Sequence, residues 1–220
     1  MTEKLLENKI ILCLGDSITS GAMSSTIDKS YVSRLSAISG AETVRYGAGG
    51  SRIAKQIVPS EDVNLDKYFG SRVKDMQDQA DYVIVFGGTN DFGHGDAPLG
   101  RLGDNTEDSF FGCVYCLYKM LKTKYPKAKI VAITPLHREN EFIKTERGAI
   151  RYHLSEYVNA VKAVANTFSI PVLDLYSDTE LVPDIPEKKA EYFSEDGLHP
   201  NDLGHDRIAN KIYEFLIDLK

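Results

Sequence analysis

The sequence predicts an α/β protein in which a doubly wound parallel sheet carries helices on both faces. Short runs of β-branched and apolar residues alternate along the chain with segments of helical periodicity. The runs are apolar on both faces, as are strands of a parallel sheet that helices cover on each side. Strands that alternate with helices are joined by right-handed crossovers. A length of 220 residues fits one domain, so we expect residues 1–220 to fold as a single unit.

The predicted strands are short apolar runs, and they cover residues 9–14, 43–46, 82–86, 130–134 and 172–175. Apolar stripes with i, i+3, i+4, i+7 spacing predict helices over residues 31–38, 110–121, 157–168 and 203–216. Three stretches contain too many polar, Gly and Pro residues to form elements, and they are 92–108, 137–147 and 177–196. Each lies downstream of a predicted strand. We therefore expect these loops at the carboxyl edge of the sheet, where open α/β proteins bind ligands.

Composition excludes several classes of function. The net charge is −6 and the sequence contains no Lys/Arg cluster, so nucleic acid is not an expected partner. No apolar run approaches the roughly 18 residues of a membrane span, and no signal peptide is apparent, so we expect a cytoplasmic protein without a membrane partner. Three cysteines are too few for a disulfide framework. Neither metal-ligand spacing nor a phosphate-binding loop motif occurs, so no metal or cofactor is expected.

Gly15-Asp16-Ser17 directly follows the first predicted strand. A serine at this strand-to-helix turn lies in the crevice at the carboxyl edge of the sheet, beside a helix N-terminus that favours developing negative charge. The alternative is that Ser17 only caps the helix. On its own the tripeptide favours the capping role, because so short a match arises easily by chance.

Asp196-Gly197-Leu198-His199-Pro200 precedes the last predicted helix. A serine hydroxyl becomes a good nucleophile when a neutral imidazole, oriented by a third group, takes its proton. A carboxylate three residues before a histidine can hold Nδ1–H within one tight turn and leave Nε2 free to face Ser17. The alternative is an ordinary Asp-Gly turn before a helix that begins after Pro200.

Two further motifs follow predicted strands two and three. Gly88-Thr89-Asn90-Asp91 places an asparagine where its side-chain amide can donate to an oxyanion, although the motif by itself favours an ordinary Gly/Asn turn. Gly47-Ala48-Gly49-Gly50-Ser51 exposes backbone N–H groups that a substrate can approach closely. It is not a dinucleotide-binding fingerprint, because the position of the third glycine is Arg52.

Taken together and in their order along the chain, the four motifs resemble those of the SGNH (GDSL) hydrolase family of serine esterases and lipases. The first follows strand one, the second and third follow strands two and three, and the last precedes the final helix. The resemblance implies a flavodoxin-like three-layer α/β/α sandwich with a five-stranded parallel sheet. It also implies that Ser17 is the nucleophile and that His199 and Asp196 complete the catalytic triad. The oxyanion would be bound by the N–H of Ser17, the N–H of Gly50 and the amide of Asn90.

One residue departs from the family pattern. Arg45-Tyr46-Gly47-Ala48-Gly49-Gly50 resembles the second motif of the family, which often begins with Asn where this chain has Arg45. The backbone N–H of Gly50 should survive the change, although hydrogen bonding around it should differ.

The predicted loops supply polar candidates for substrate binding, and these are Arg52, His94, His137 and Arg138. Few bulky aliphatic residues accompany them, which favours a short acyl group such as acetyl on a polar carrier such as a carbohydrate. The alternatives are a lipase or lysophospholipase, an acyltransferase that uses the same acyl-enzyme, and a catalytically silent binding protein. The sequence indicates nothing about the oligomeric state.

Two other features are predicted to be structural. Cys113 and Cys116 form a C-x-x-C inside the apolar stripe of a predicted helix, where buried core is a better explanation than redox or zinc chemistry. His153 and His205 fall on predicted helices and are expected at the surface or edge.

Overall fold

The structure, a computed structural model, describes residues 4–141 and 152–219. Within them, five parallel strands form one sheet in the order β2-β1-β3-β4-β5. The strands are β1 Ile10–Gly15, β2 Glu42–Gly47, β3 Tyr82–Phe86, β4 Lys129–Ile133 and β5 Val172–Leu173. The strand order reverses between β1 and β3, as in flavodoxin-like folds. The predicted three-layer sandwich is confirmed.

Helices cover both faces of the sheet. They are α1 Ser17–Ser20, α2 Tyr31–Ser39, α3 Phe69–Arg72, α4 Thr89–His94, α5 Phe110–Lys124, α6 Leu154–Thr167, α7 Pro186–Tyr192 and α8 Asp202–Asp218. Apolar side chains of α2 and α8 pack on one face, and those of α3, α5 and α6 pack on the other. No helix in residues 4–141 and 152–219 is long and apolar enough to cross a membrane.

Alternation along β1 explains why the predicted strands are apolar on both faces. Ile11 and Cys13 belong to the core beneath α2 and α8, whereas Leu12 and Leu14 belong to the core beneath α3, α5 and α6. Successive side chains of a strand point to opposite faces, so both sets must be apolar when both faces are covered. All four side chains are fully buried.

Two of the predicted loops contain helices. Residues 92–94 belong to α4, and residues 186–192 form α7. The six residues of α4 are too few to display a helical period, and none of the residues of α7 is buried, so neither sequence contains an apolar stripe. The third predicted loop, 137–147, lies outside the described residues from position 142 onward.

His205 contradicts its predicted surface position. It lies in α8 and is fully buried, and its Nδ1 accepts from the Tyr31 backbone N–H at 3.2 Å. Its Nε2 donates to the Ala22 carbonyl at 3.0 Å. The histidine therefore joins α8 to the first residue of α2 and to the turn that follows α1. Cys113 is buried in the core as expected, and Cys116 is partly exposed.

Candidate active site

The nucleophile candidate begins the first helix. β1 ends at Gly15, and Asp16 caps α1 by accepting the Ile18 N–H at 3.0 Å. Asp16 therefore fulfils the capping role that was the alternative for Ser17, and the Ser17 hydroxyl makes a different contact. A Cβ atom at Gly15 would lie 1.9 Å from Thr19 Oγ1, so only glycine allows α1 to pack this closely on the strand end.

Three side chains form a hydrogen-bonded chain across 182 positions of sequence. Ser17 Oγ lies 2.8 Å from His199 Nε2, and His199 Nδ1 lies 2.7 Å from Asp196 Oδ2. The carboxylate on Nδ1 favours the imidazole tautomer whose Nε2 lone pair faces the serine hydroxyl. This geometry allows His199 to accept the proton of Ser17.

Hydrogen bonds keep the Asp196 side chain ionised and oriented. Its second oxygen, Oδ1, accepts the backbone N–H groups of Leu198 and His199 at 2.9 Å each and the Ser194 hydroxyl at 2.7 Å. Partial burial by itself would raise the pKa of Asp196, but these hydrogen bonds and the one from the His199 ring hold it well below its usual range.

A closed turn holds Asp196 against His199. The Ser194 N–H donates to the His199 carbonyl at 2.9 Å, and the Gly197 N–H donates to the Ser194 carbonyl at 3.1 Å. Gly197 has a φ of 59°, a left-handed conformation that glycine adopts without strain. The three-residue spacing in the sequence corresponds to this turn.

Three N–H donors lie on the segments that follow β1, β2 and β3. The backbone N–H groups of Ser17 and Gly50 donate to no acceptor within the described part of the chain. Gly50 lies in the tight turn after β2 with a φ of 68°. Asn90, in α4, donates from Nδ2 to the Ser51 carbonyl at 2.9 Å and keeps its second amide hydrogen.

Two residues that the sequence did not mark as candidates hold the backbone of these segments in place through hydrogen bonds. Arg72 donates to the carbonyls of Gly15 and Tyr46 at 2.9 and 2.8 Å, so it ties the ends of β1 and β2 together. Asp91 is buried and accepts the N–H groups of Ile53 and Ala54 at 2.9 and 2.7 Å. Asp91 stands beside Asn90 in a motif that was recognised, whereas α3, which carries Arg72, has no pattern in the sequence that marks it.

Burial also changes the acidity of the two aspartates beneath the site. Asp16 and Asp91 are 2% and 3% exposed. Loss of solvation raises the pKa of Asp16 to about 7 and that of Asp91 to about 6, although both carboxyls accept backbone hydrogen bonds. Both groups therefore titrate near neutral pH.

Comparison with known proteins identifies the family. The model of the GDSL-like lipase/acylhydrolase family matches residues 13–207. The chain belongs to this family. The resemblance carried by the four motifs is thereby confirmed, and the protein is an ester hydrolase of the GDSL type.

Solved structures of other proteins share the fold. A protein from Lactobacillus plantarum is 30% identical, with a TM-score of 0.81 over 96% of this chain and 98% of its own. A protein from Chitinophaga pinensis described as a possible lipase is 23% identical, with a TM-score of 0.73 over 96% and 99%. An acetyl xylan esterase is 20% identical, with a TM-score of 0.66 over 94% and 99%. No curated protein matches the chain significantly.

The side chain of Arg45 is accommodated away from the Gly50 turn. Arg45 pairs with Cys13 in the β1–β2 register, and its Nη2 donates to the hydroxyls of Ser30 and Ser33 at 2.6 and 2.9 Å. The Arg45 side chain of this GDSL hydrolase therefore extends toward the start of α2. The Gly50 turn still closes, since the Ser51 N–H donates to the Ala48 carbonyl at 3.2 Å.

Two of the four candidates for substrate binding contact each other. Arg52 is 2% exposed, pairs with Asp66 at 3.1 Å and places Nη1 2.6 Å from His94 Nδ1. His94 Nε2 lies 3.3 Å from Asn90 Oδ1. Both side chains therefore lie next to the asparagine of the third motif.

The other two candidates follow β4. The ring of His137 lies 3.8 Å from that of Tyr176, and its Nδ1 lies 3.0 Å from Glu141 Oε1. Arg138 donates to Thr89, at 3.2 Å to the carbonyl and 3.3 Å to the hydroxyl, and its Nε has no acceptor among the described residues. Burial lowers the pKa of Arg138, consistent with a guanidinium that no carboxylate within the described residues pairs directly.

No group of three or more His, Cys, Asp or Glu side chains in the described ranges is arranged to hold a metal ion. The residues at this site are those of acid–base and nucleophilic chemistry.

Proposed function

We propose that this GDSL hydrolase is a serine esterase that cleaves short-chain esters of polar carriers through an acyl-enzyme. The observation that carries the proposal is the chain from Ser17 through His199 to Asp196, with contacts of 2.8 and 2.7 Å. These distances are those of a nucleophile, its general base and the group that orients the base.

In the proposed mechanism, Ser17 Oγ attacks the ester carbonyl while His199 Nε2 takes its proton. The tetrahedral oxyanion accepts hydrogen bonds from the N–H groups of Ser17 and Gly50 and from the free amide hydrogen of Asn90. Each such donor typically lowers the barrier by ~3–4 kcal/mol. His199 then protonates the leaving alkoxide, and water repeats the sequence on the acyl-enzyme.

We propose that a shallow surface cleft receives the polar carrier. It has a volume of about 420 Å³ and lies on the segments that follow Ser17 and His199. Its lining combines apolar and polar side chains, and these are Met23, Ser25, Ala190, Glu191, Asn201, Asp202 and Leu203.

Arg138 and His137 supply the second polar element of the proposal. No carboxylate within residues 4–141 and 152–219 pairs directly with Arg138, so a carbonyl or hydroxyl oxygen of the substrate would suit this guanidinium. We propose that these residues contact the polar carrier rather than the acyl group.

The test is a rate series on p-nitrophenyl acetate, octanoate and palmitate with the wild type, Ser17→Ala and Ser20→Ala. Ser20 is the matched control, because it lies in the same helix and its hydroxyl donates to the Ser17 carbonyl. We expect acetate to be hydrolysed fastest, Ser17→Ala to be inactive and Ser20→Ala to retain activity. Faster turnover of the long chains would replace the short-chain proposal by a lipase.

Two further measurements separate the remaining functions. A serine-directed phosphonate should label the wild type and not Ser17→Ala, and failure to label the wild type would indicate a binding protein. Product analysis in the presence of added sugars should show hydrolysis, and sugar esters would indicate an acyltransferase. The value of kcat/KM should fall as the pH drops, because the base must be neutral. A flat profile across the imidazole range contradicts the role of His199.

A further inference from the structure

Four side chains form a continuous chain that ends on Asn90. Asp66 Oδ1 accepts from Arg52 Nη2 at 3.1 Å, Arg52 Nη1 lies 2.6 Å from His94 Nδ1, and His94 Nε2 lies 3.3 Å from Asn90 Oδ1. Asn90 and His94 are four residues apart on α4, so they lie on the same side of the helix. Arg52 is held in the buried turn that follows Gly50 and Ser51.

The chemistry of these groups fixes the direction of every hydrogen bond. A guanidinium has only donors, so the contact with Arg52 makes His94 Nδ1 an acceptor. A neutral imidazole that accepts at Nδ1 carries its proton on Nε2. His94 Nε2–H therefore donates to Asn90, and the atom of Asn90 that faces it must be the carbonyl oxygen.

This contact decides which end of the Asn90 amide faces the site. The oxygen is taken up by His94, and Nδ2 donates one hydrogen to the Ser51 carbonyl at 2.9 Å. The second hydrogen of Nδ2 remains for the substrate. If the amide rotated by half a turn, an acceptor oxygen would replace a donor where negative charge develops. Carbonyl oxygen and amide nitrogen are nearly the same size, so packing alone hardly prevents that rotation.

We propose that His94 and Arg52 are positioning residues that hold the Asn90 amide in its donor orientation, rather than substrate contacts. The proposal rests on the proposed function, in which Asn90 binds the oxyanion. Asp66 anchors Arg52 from the far end of the chain. The Ser51 carbonyl favours the same orientation, so loss of His94 should remove only part of the contribution of Asn90.

The expected effects follow from when Asn90 acts. An oxyanion donor binds in the transition state and not in the ground state, so its misorientation lowers kcat and leaves KM unchanged. Removing one such donor outright lowers kcat by about 10²–10³-fold. We expect His94→Leu to lower kcat on p-nitrophenyl acetate by about tenfold. His94→Gln should restore most of kcat, because its side chain retains one acceptor and a donor.

A double-mutant cycle with Asn90→Ala tests whether His94 acts through Asn90. In the Asn90→Ala background, His94→Leu should change kcat less than twofold. An equal loss in both backgrounds would overturn the proposal, because it would show a role independent of Asn90. A rise in KM with unchanged kcat would also overturn it, because it would make His94 a substrate contact. His94→Ala introduces no new bulk and repeats the cycle if His94→Leu does not fold.

A second measurement does not depend on activity. Nitrogen-15 NMR of labelled histidine in the wild-type protein at pH 7 reports which ring nitrogen carries the proton. We expect a neutral His94 ring protonated at Nε2 and not at Nδ1. A ring protonated at Nδ1, or at both nitrogens, overturns the proposal even if the protein hydrolyses esters. If the wild type is inactive on esters but His94 shows the expected tautomer, the proposed esterase function is wrong and the hydrogen-bonded chain from Asp66 to Asn90 still stands.

Discussion

The buried carboxyl of Asp16 should make the stability of the protein fall as the pH rises from 5 to 8. Asp16 is 2% exposed, and burial raises its pKa from 3.8 to about 7. The folded state therefore holds a proton that the unfolded chain releases at much lower pH. The resulting stabilisation is complete below the unfolded pKa and is lost as the pH rises through the folded one.

The size of the effect follows from the difference between the two pKa values. Each pH unit of difference corresponds to about 1.4 kcal/mol, and roughly two of these units are lost between pH 5 and 8. Asp16 should therefore contribute about 2–3 kcal/mol less stability at pH 8 than at pH 5. For a chain of this length that corresponds to a change in Tm of roughly 5–10 °C.

Asp16→Asn isolates this contribution. The asparagine oxygen can still accept the Ile18 N–H, but the side chain does not titrate. Any cost of the extra amide hydrogens is the same at each pH. The test is therefore how the difference in Tm between the variant and the wild type changes with pH. We expect the Tm of the variant to rise relative to that of the wild type by roughly 5–10 °C between pH 5 and 8.

Asp81→Asn serves as the control. The pKa of Asp81 is lowered, because hydrogen bonds from Ile10 and Lys9 outweigh the effect of burial. The pKa of Asp81 therefore lies below 5 in both the folded and the unfolded chain. The Tm difference between Asp81→Asn and the wild type should not change between pH 5 and 8. A pH-independent difference for Asp16→Asn as well would refute the argument that burial leaves Asp16 protonated near neutral pH.

Three further predictions concern the frame around the site. Gly47→Ala should lower the free energy of unfolding in urea by roughly 2 kcal/mol, because a Cβ there would lie 2.2 Å from the Ser20 nitrogen. Gly49→Ala is the control and should leave the free energy of unfolding unchanged, because a Cβ there meets no atom within 4 Å. Equal urea midpoints for the two variants would contradict this packing. Asp196→Asn should lower kcat on p-nitrophenyl acetate by about three to four orders of magnitude with little change in KM, because the histidine loses its orienting carboxylate; a loss below tenfold would contradict that role. His205→Leu should lower the free energy of unfolding by about 1–3 kcal/mol, since it removes the partner of the buried Tyr31 N–H and of the partly buried Ala22 carbonyl. Burial lowers the pKa of His205, so that loss should shrink as the pH falls below about 6.5, and a constant loss would show that the ring is not neutral in the fold.

Periodicity predicts the layers of this protein well where the elements are long or buried. Residues 82–86 form a strand at the predicted bounds, and the apolar stripe over 110–121 lies within α5. β5 is shorter than predicted, because only Val172 and Leu173 pair with β4. The short helices α4 and α7 were missed because a helix of six or seven residues leaves too few positions to establish a period.

The sequence by itself determined the fold class, the family and the motif residues of the candidate site. Strand and helix patterns are properties of neighbouring residues, and the four motifs lie within short segments that need no folding to be recognised. The turn that joins Asp196 to His199 is local in the same sense, since three residues and a glycine suffice to form it.

Only the tertiary structure decided what surrounds those motifs. Arg52 looked like a substrate contact in the sequence, yet it is buried between Asp66 and His94. His205 looked like a surface residue, yet the backbone of Tyr31 and Ala22 encloses it. Whether a charged or polar side chain faces solvent, a substrate or a partner depends on segments distant in the sequence. Burial and pairing, which set its protonation and role, therefore arise only when the chain folds.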